Sequence, residues 1–128
     1  KGMTPVEFLK ITKIADWTQF KPGEVITQQT HNVPTLNLIY NGTVDVSVDS
    51  KKVAELKDGQ FVGEMSFLTE KPATATCRAK HNTECLTWEQ QGFKELLKRN
   101  PSLYFSIQSL LSAQVSEALV SSSKHKGE

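Results

Sequence analysis

Asp58–Ala79 reads DGQFVGEMSFLTEKPATATCRA, and its punctuation describes a tight turn, a single helical turn and a strand. Gly59 and Gly63 bracket the apolar pair Phe61 and Val62, so the backbone can bend sharply and come close to a ligand at Gly63. Glu64, Met65 and Ser66 then open a short helical turn whose first N–H groups have no intrahelical acceptor. Oriented N–H dipoles of that kind suit an anion. The stretch carries no arginine between Gly63 and Cys77 to meet one.

On either side of this stretch the period of the apolar pattern changes twice. Met3, Val6, Phe8, Leu9 and Ile11 suit a short amphipathic helix with Thr4 as N-cap and Pro5 at its first position. From Trp17 to Trp88 the pattern is strand-like. Val44, Val46 and Val48 alternate with Asp45 and Ser47, and Asn41-Gly42 is the strongest hairpin signal in the chain. Pro22-Gly23, Asp49-Ser50, Asp58-Gly59 and His81-Asn82 mark further turns. Short strands at such spacing predict a sandwich, roll or barrel. Beyond Trp88 the helical period returns. Phe93, Leu96 and Leu97 mark one helix, broken at Asn100-Pro101 because the residue before proline resists the helical conformation. Leu103, Ile107, Leu110, Leu111, Val115, Ala118 and Leu119 mark a longer one. That stripe packs on the chain's own β core or also forms a homodimer through helix 101–120. Residues 1–120 are expected to form the domain, and 121–128 a polar, frayed tail.

These residues resemble the cyclic nucleotide-binding domain family, of the catabolite activator protein and protein kinase A regulatory subunit type. Gly63, Glu64, Met65, Ser66, Phe67 and Leu68 match the first half of its phosphate-binding cassette, and Pro72, Thr74, Ala75, Thr76, Arg78 and Ala79 the second. Phe20, Pro22, Gly23, Glu24, Val25 and Ile26 resemble its opening turn, Leu36 to Val48 its central hairpin, and Phe93 to Pro101 its first C-terminal helix. The similarity covers about Phe8 to Leu119. It implies a mainly β fold, a jelly-roll-like β-roll with a short N-terminal helix and two C-terminal helices. It implies cyclic AMP or cyclic GMP as ligand. A fainter similarity joins Glu84–Pro101 to the Popeye-domain branch.

Ala73 stands where the family places its phosphate-binding arginine. Losing one partner of a buried charge pair costs about 2–5 kcal/mol, or about one and a half to three and a half decades of affinity. The expected ligand-binding set is Gly63, Glu64, Met65, Ser66, Ala73 and Thr74. Each has a plainer reading beside it. Gly63 serves a turn or a ligand's approach, and Glu64 accepts from a ribose 2′-hydroxyl or sits as a favourable charge at a helix N-terminus. Thr74 donates to a phosphate oxygen or fills a β position. Lys71 is the candidate substitute cation, a flexible point charge without arginine's fork. Arg78 reads as an outer-face charge.

Composition narrows the alternatives. The 128 residues carry 15 Lys and Arg against 14 Asp and Glu, a formal net charge of +1, which calls for neither nucleic acid nor an anionic membrane. No apolar run approaches the ~18 residues of a membrane span. A cytoplasmic domain is expected, alone or within a larger or membrane-attached protein. Cys77 and Cys85 read as reduced core thiols on adjacent strands of one hairpin. His31, His81 and His125 lie too far apart in sequence for a metal-bearing β-roll. No serine or cysteine sits in a nucleophile elbow, so no enzyme is expected. The favoured reading is a ligand-sensing regulatory domain with weak or altered cyclic nucleotide binding. The alternative is a pseudo-domain acting in interaction or oligomerisation.

Overall fold

In the computed structural model the backbone is described for residues 3–126 and the side chains for residues 3–114. The chain opens with helix α1 (Pro5–Thr12) and continues through strands β1 (Asp16–Phe20), β2 (Val25–Thr27), β3 (Thr35–Asn41), β4 (Thr43–Val48), β5 (Lys51–Lys57) and β6 (Phe61–Val62). Helix α2 (Glu64–Thr69) follows, then β7 (Thr76–Ala79), β8 (Thr83–Glu89), α3 (Gln90–Lys98) and α4 (Pro101–Lys126). The strands form two four-stranded antiparallel sheets, ordered β1-β8-β3-β6 and β2-β7-β4-β5. This is the mainly β roll with flanking helices that the sequence predicts.

Strands β8, β3 and β6 of the first sheet carry buried side chains on both faces, because successive side chains of a strand point to opposite sides. Leu36, Leu86 and Trp88 turn toward the helices, where Ile11, Phe67, Phe93, Leu97, Leu103, Ile107 and Leu111 meet them. Ile39 and Cys85 turn the other way, toward Val44 and Cys77 of the second sheet. Trp88 stacks on Phe93 with ring centroids 5.1 Å apart, and its indole N–H donates to the Ile11 carbonyl at 2.8 Å. The α4 stripe from Leu103 to Leu111 therefore packs on the chain's own core. Val115, Ala118 and Leu119 lie outside the residues whose side chains are described.

Four expectations change. Asn41-Gly42 is a corner, not a hairpin: β3 pairs with β6 and β8, whereas β4 pairs with β5 and β7. The chain crosses there from one sheet to the other. Gly42 has φ +147°, and a Cβ on it would lie 2.4 Å from Thr83 Oγ1. The strand Val44–Val48 instead turns back through Asp49 and Ser50, both left-handed at φ 51° and 68°, the conformation that a two-residue hairpin needs.

Cys77 and Cys85 lie on consecutive strands of opposed sheets, not on one hairpin. Both are buried and free. Helix α1 has its predicted cap, with Thr4 and Glu7 forming a reciprocal capping box, but its burial is reversed. Ile11 is enclosed while Val6, Phe8 and Leu9 are exposed. Helix α4 runs on through Lys126 where a frayed tail from Ser121 was expected. Gly127 and Glu128 lie outside the described residues. No helix among the described residues is long and apolar enough to cross a membrane.

Candidate functional site

Asp58–Ala79 folds into β6, α2, a connector and β7. Gly63 caps α2 in the left-handed region at φ +96°. A Cβ there would stand 3.1 Å from the Thr35 carbonyl oxygen and 3.4 Å from a Val33 methyl, so the glycine is already required by the close approach of β3. Phe67 N–H donates to the Gly63 carbonyl at 3.0 Å, and the turn ends at Glu70, left-handed at φ 61°, whose N–H donates to Ser66.

Glu64 is the chemical centre of this segment. Burial pushes its carboxyl above the usual carboxylate range, opposed by the backbone N–H groups of Glu64 and Met65 and by the side-chain amide of Gln114. The backbone N–H groups of Glu64 and Met65, the first of α2, thus favour an anion of the protein's own, the Glu64 carboxylate. Ser66 is buried beside it, whereas Met65 lies outward. The Cys77 thiol, across the roll on β7, is pushed up to about 11 by burial, with the Glu64 charge adding to the rise. Cys85 is pushed up to about 12 by burial alone. Neither thiol is poised as a nucleophile at neutral pH.

The second half of the predicted set lies in the connector between α2 and β7. The Ala73 N–H donates to the His31 carbonyl at 2.9 Å, and its carbonyl accepts from Thr30 N–H at 2.8 Å. Both backbone groups of this residue are therefore spent on the loop after β2, and its methyl offers an anion nothing. Thr74 and Lys71 are exposed, and the Lys71 ammonium enters no ion pair with the described residues. Arg78 is also exposed and donates to the Gly23 carbonyl at 2.9 Å, as an outer-face charge would. Lys94 pairs with Glu70 at 3.1 Å just past the end of α2. No group of three His, Cys, Asp or Glu side chains among the described residues is placed to hold a metal.

Gln114 escaped the sequence reading. It is 7% exposed and brings α4 onto both Phe61 and Glu64. The signal was a polar residue at the position after Ile107 and Leu111 in a stripe of helical spacing, where an apolar side chain would ordinarily stand.

The architecture and the cassette have counterparts. The family model for the cyclic nucleotide-binding domain matches residues 17–100. The chain belongs to the cyclic nucleotide-binding domain family. Among solved structures it is similar to the catabolite activator protein of Thermus thermophilus, with TM-score 0.78 and 25% identity over 93% of this chain and 58% of that one. The fold is shared with cAMP-bound PfPKA-R at TM-score 0.78 and 23% identity, over 97% of this chain and 42% of that one. Among characterised proteins, lysophospholipase nte1 of Neurospora crassa is 25% identical over 118 residues, which is 88% of this chain. The cyclic nucleotide-binding domain described here spans only 8% of that relative's length.

Proposed function

We propose that this chain is a ligand-sensing regulatory domain that binds a cyclic nucleotide weakly. Its ribose hydroxyl would be held by Glu64, and its phosphate would rest against Gly63, Ser66 and Thr74 without a guanidinium partner. The observation that carries the reading is Glu64 itself, a largely buried carboxylate at the start of α2, within a family whose ligand is a cyclic nucleotide. A carboxylate so placed has both oxygens available only as acceptors. A sugar hydroxyl is the complementary donor.

The weakness follows from Ala73. A cyclic phosphate in this site would meet backbone N–H groups already shared with Glu64, one exposed threonine hydroxyl and, at most, the mobile ammonium of Lys71. Such contacts replace one bidentate charge pair poorly. Occupancy would be transmitted by α4, which sits on the same sheet face as α2. That transmission needs a difference in ligand affinity between two positions of the helix.

Titration calorimetry with cyclic AMP and cyclic GMP, carried into the millimolar range, tests the reading. Saturable binding abolished by Glu64→Ala is the expected result. A flat titration with both ligands would overturn it and leave the domain as an interaction or oligomerisation module.

A further inference from the structure

We propose that Gln114 is a positioning residue that couples the seating of α4 to whatever engages the Glu64 carboxylate. Strand β6 is the outer strand of its sheet and pairs with β3 on one side only. On its other side the Gln114 side chain completes the edge. Gln114 Oε1 accepts from Phe61 N–H at 2.7 Å, and Nε2 donates to the Phe61 carbonyl at 2.8 Å. The same nitrogen donates to Glu64 Oε2.

One primary amide thus uses both N–H bonds and its carbonyl on two residues of the cassette segment. Phe61 is 3% exposed, so its backbone groups have no water to turn to if the amide leaves. Packing alone would favour leucine at 114. The polar choice becomes intelligible only through the strand edge and the carboxylate.

The sign of the coupling follows from the geometry. An N–H donated to Glu64 Oε2 holds the carboxylate in one orientation, and a ribose hydroxyl arriving at the other oxygen needs that oxygen held in place. Seating of α4 and acceptance of a hydroxyl therefore support each other, and by linkage the support is reciprocal. The ligand half of this inference rests on the function proposed above, whereas the coupling between Glu64 and α4 is a property of the unliganded chain.

Amide hydrogen exchange at Phe61 and along α4 tests the coupling without any ligand. Gln114→Leu and Glu64→Ala should each speed exchange there, and the double variant should fall short of the product of the two effects by about fivefold. Should Gln114→Leu fail to fold, Gln114→Glu is compared with Gln114→Glu/Glu64→Gln. Donor and acceptor trade places between 114 and 64 in the second variant, and it should recover along α4 part of the protection lost in the first, although the Phe61 carbonyl stays without its donor. Additive effects, or no recovery in the traded pair, would overturn the proposal.

The ligand arm compares cyclic AMP with its 2′-deoxy analogue. Gln114→Leu should weaken the first by about tenfold, the size expected for one hydrogen bond to a charged group, and leave the second nearly unchanged. Equal weakening of both would reduce Gln114 to a purely structural residue and overturn its positioning role. If the unaltered chain binds neither nucleotide, the functional reading fails while the exchange experiment still decides the coupling.

Discussion

Ala73 and Glu64 divide the candidate site into a half that lacks its charge and a half that holds one under strain of burial. The backbone at Ala73 is pinned by Thr30 and His31, so a longer side chain there would start from a defined position. Ala73→Arg should therefore raise affinity for cyclic AMP or cyclic GMP by a decade or more, at the lower end of what a buried charge pair contributes. Calorimetry on the variant checks this, and an unchanged affinity would mean that the pocket is remodelled beyond that residue.

Glu64 carries the pH dependence. Its folded pKa lies above the ordinary 4.5 because of burial, so the folded chain holds that proton more tightly than the unfolded one. Its contribution to stability is full below the unfolded value and declines as pH rises through the folded value. Affinity for a hydroxyl donor should move the opposite way and improve across the same window, just above the ordinary carboxylate range. Glu55, held down to about 2 by Lys52 and Lys80, titrates lower and contributes a slope of the other sign. Urea titrations of the unaltered chain and of Glu64→Gln at a series of pH values separate the two. Parallel pH profiles would refute the assignment to Glu64.

At the scale of elements, sequence reading worked where local chemistry decides the structure and failed where distance in the chain does. The Thr4-Pro5 start of α1, the Asn100-Pro101 break and the Asp49-Ser50 turn each depend on a few neighbouring residues, and each stands as read. Asn41-Gly42 carries the strongest hairpin signal of all, yet its flanking strands join different sheets because β8 comes between β1 and β3 and draws β3 away from β4. The face of α1 was misread for a similar reason. Trp88, far along the chain, takes the Ile11 carbonyl and fixes which side of the helix is covered. Half of the cassette was legible from Gly63-Glu64. Gln114, fifty residues past Glu64, could be joined to it only by the fold.

Gly42→Ala tests the corner. The added methyl would meet Thr83 at 2.4 Å with φ at +147°, so both contact and backbone oppose it. A loss of about 1–3 kcal/mol is expected from overpacking, measured by urea denaturation. Thr83→Ala, by removing the Oγ1 that stands nearest the added methyl, should recover part of it in the double variant relative to Thr83→Ala alone. A neutral Gly42→Ala would show that the corner can open without cost.

For the whole molecule the decisive feature is that strands β3, β6 and β8 are buried on two faces, with the roll's interior on one side and the helices on the other. The two parts of the core share strands β3, β6 and β8 but few side chains, because alternate residues belong to different parts. Leu111 is fully enclosed on the helical side, and Leu111→Ala should cost about 2–5 kcal/mol as a buried cavity, a large share of the roughly 5–15 kcal/mol that holds a domain of this kind together. If α4 is a separable unit, its amides in the variant should exchange well before those of β3 and β8, whose far face keeps its packing. On the proposed function, cyclic nucleotide affinity should then fall with the fraction of molecules in which α4 is unseated, as a site completed by that helix requires. Uniform loss of protection across α4, β3 and β8 would instead make the helix and the roll one cooperative body, and a body of that kind could not pass a signal by moving one helix against the other.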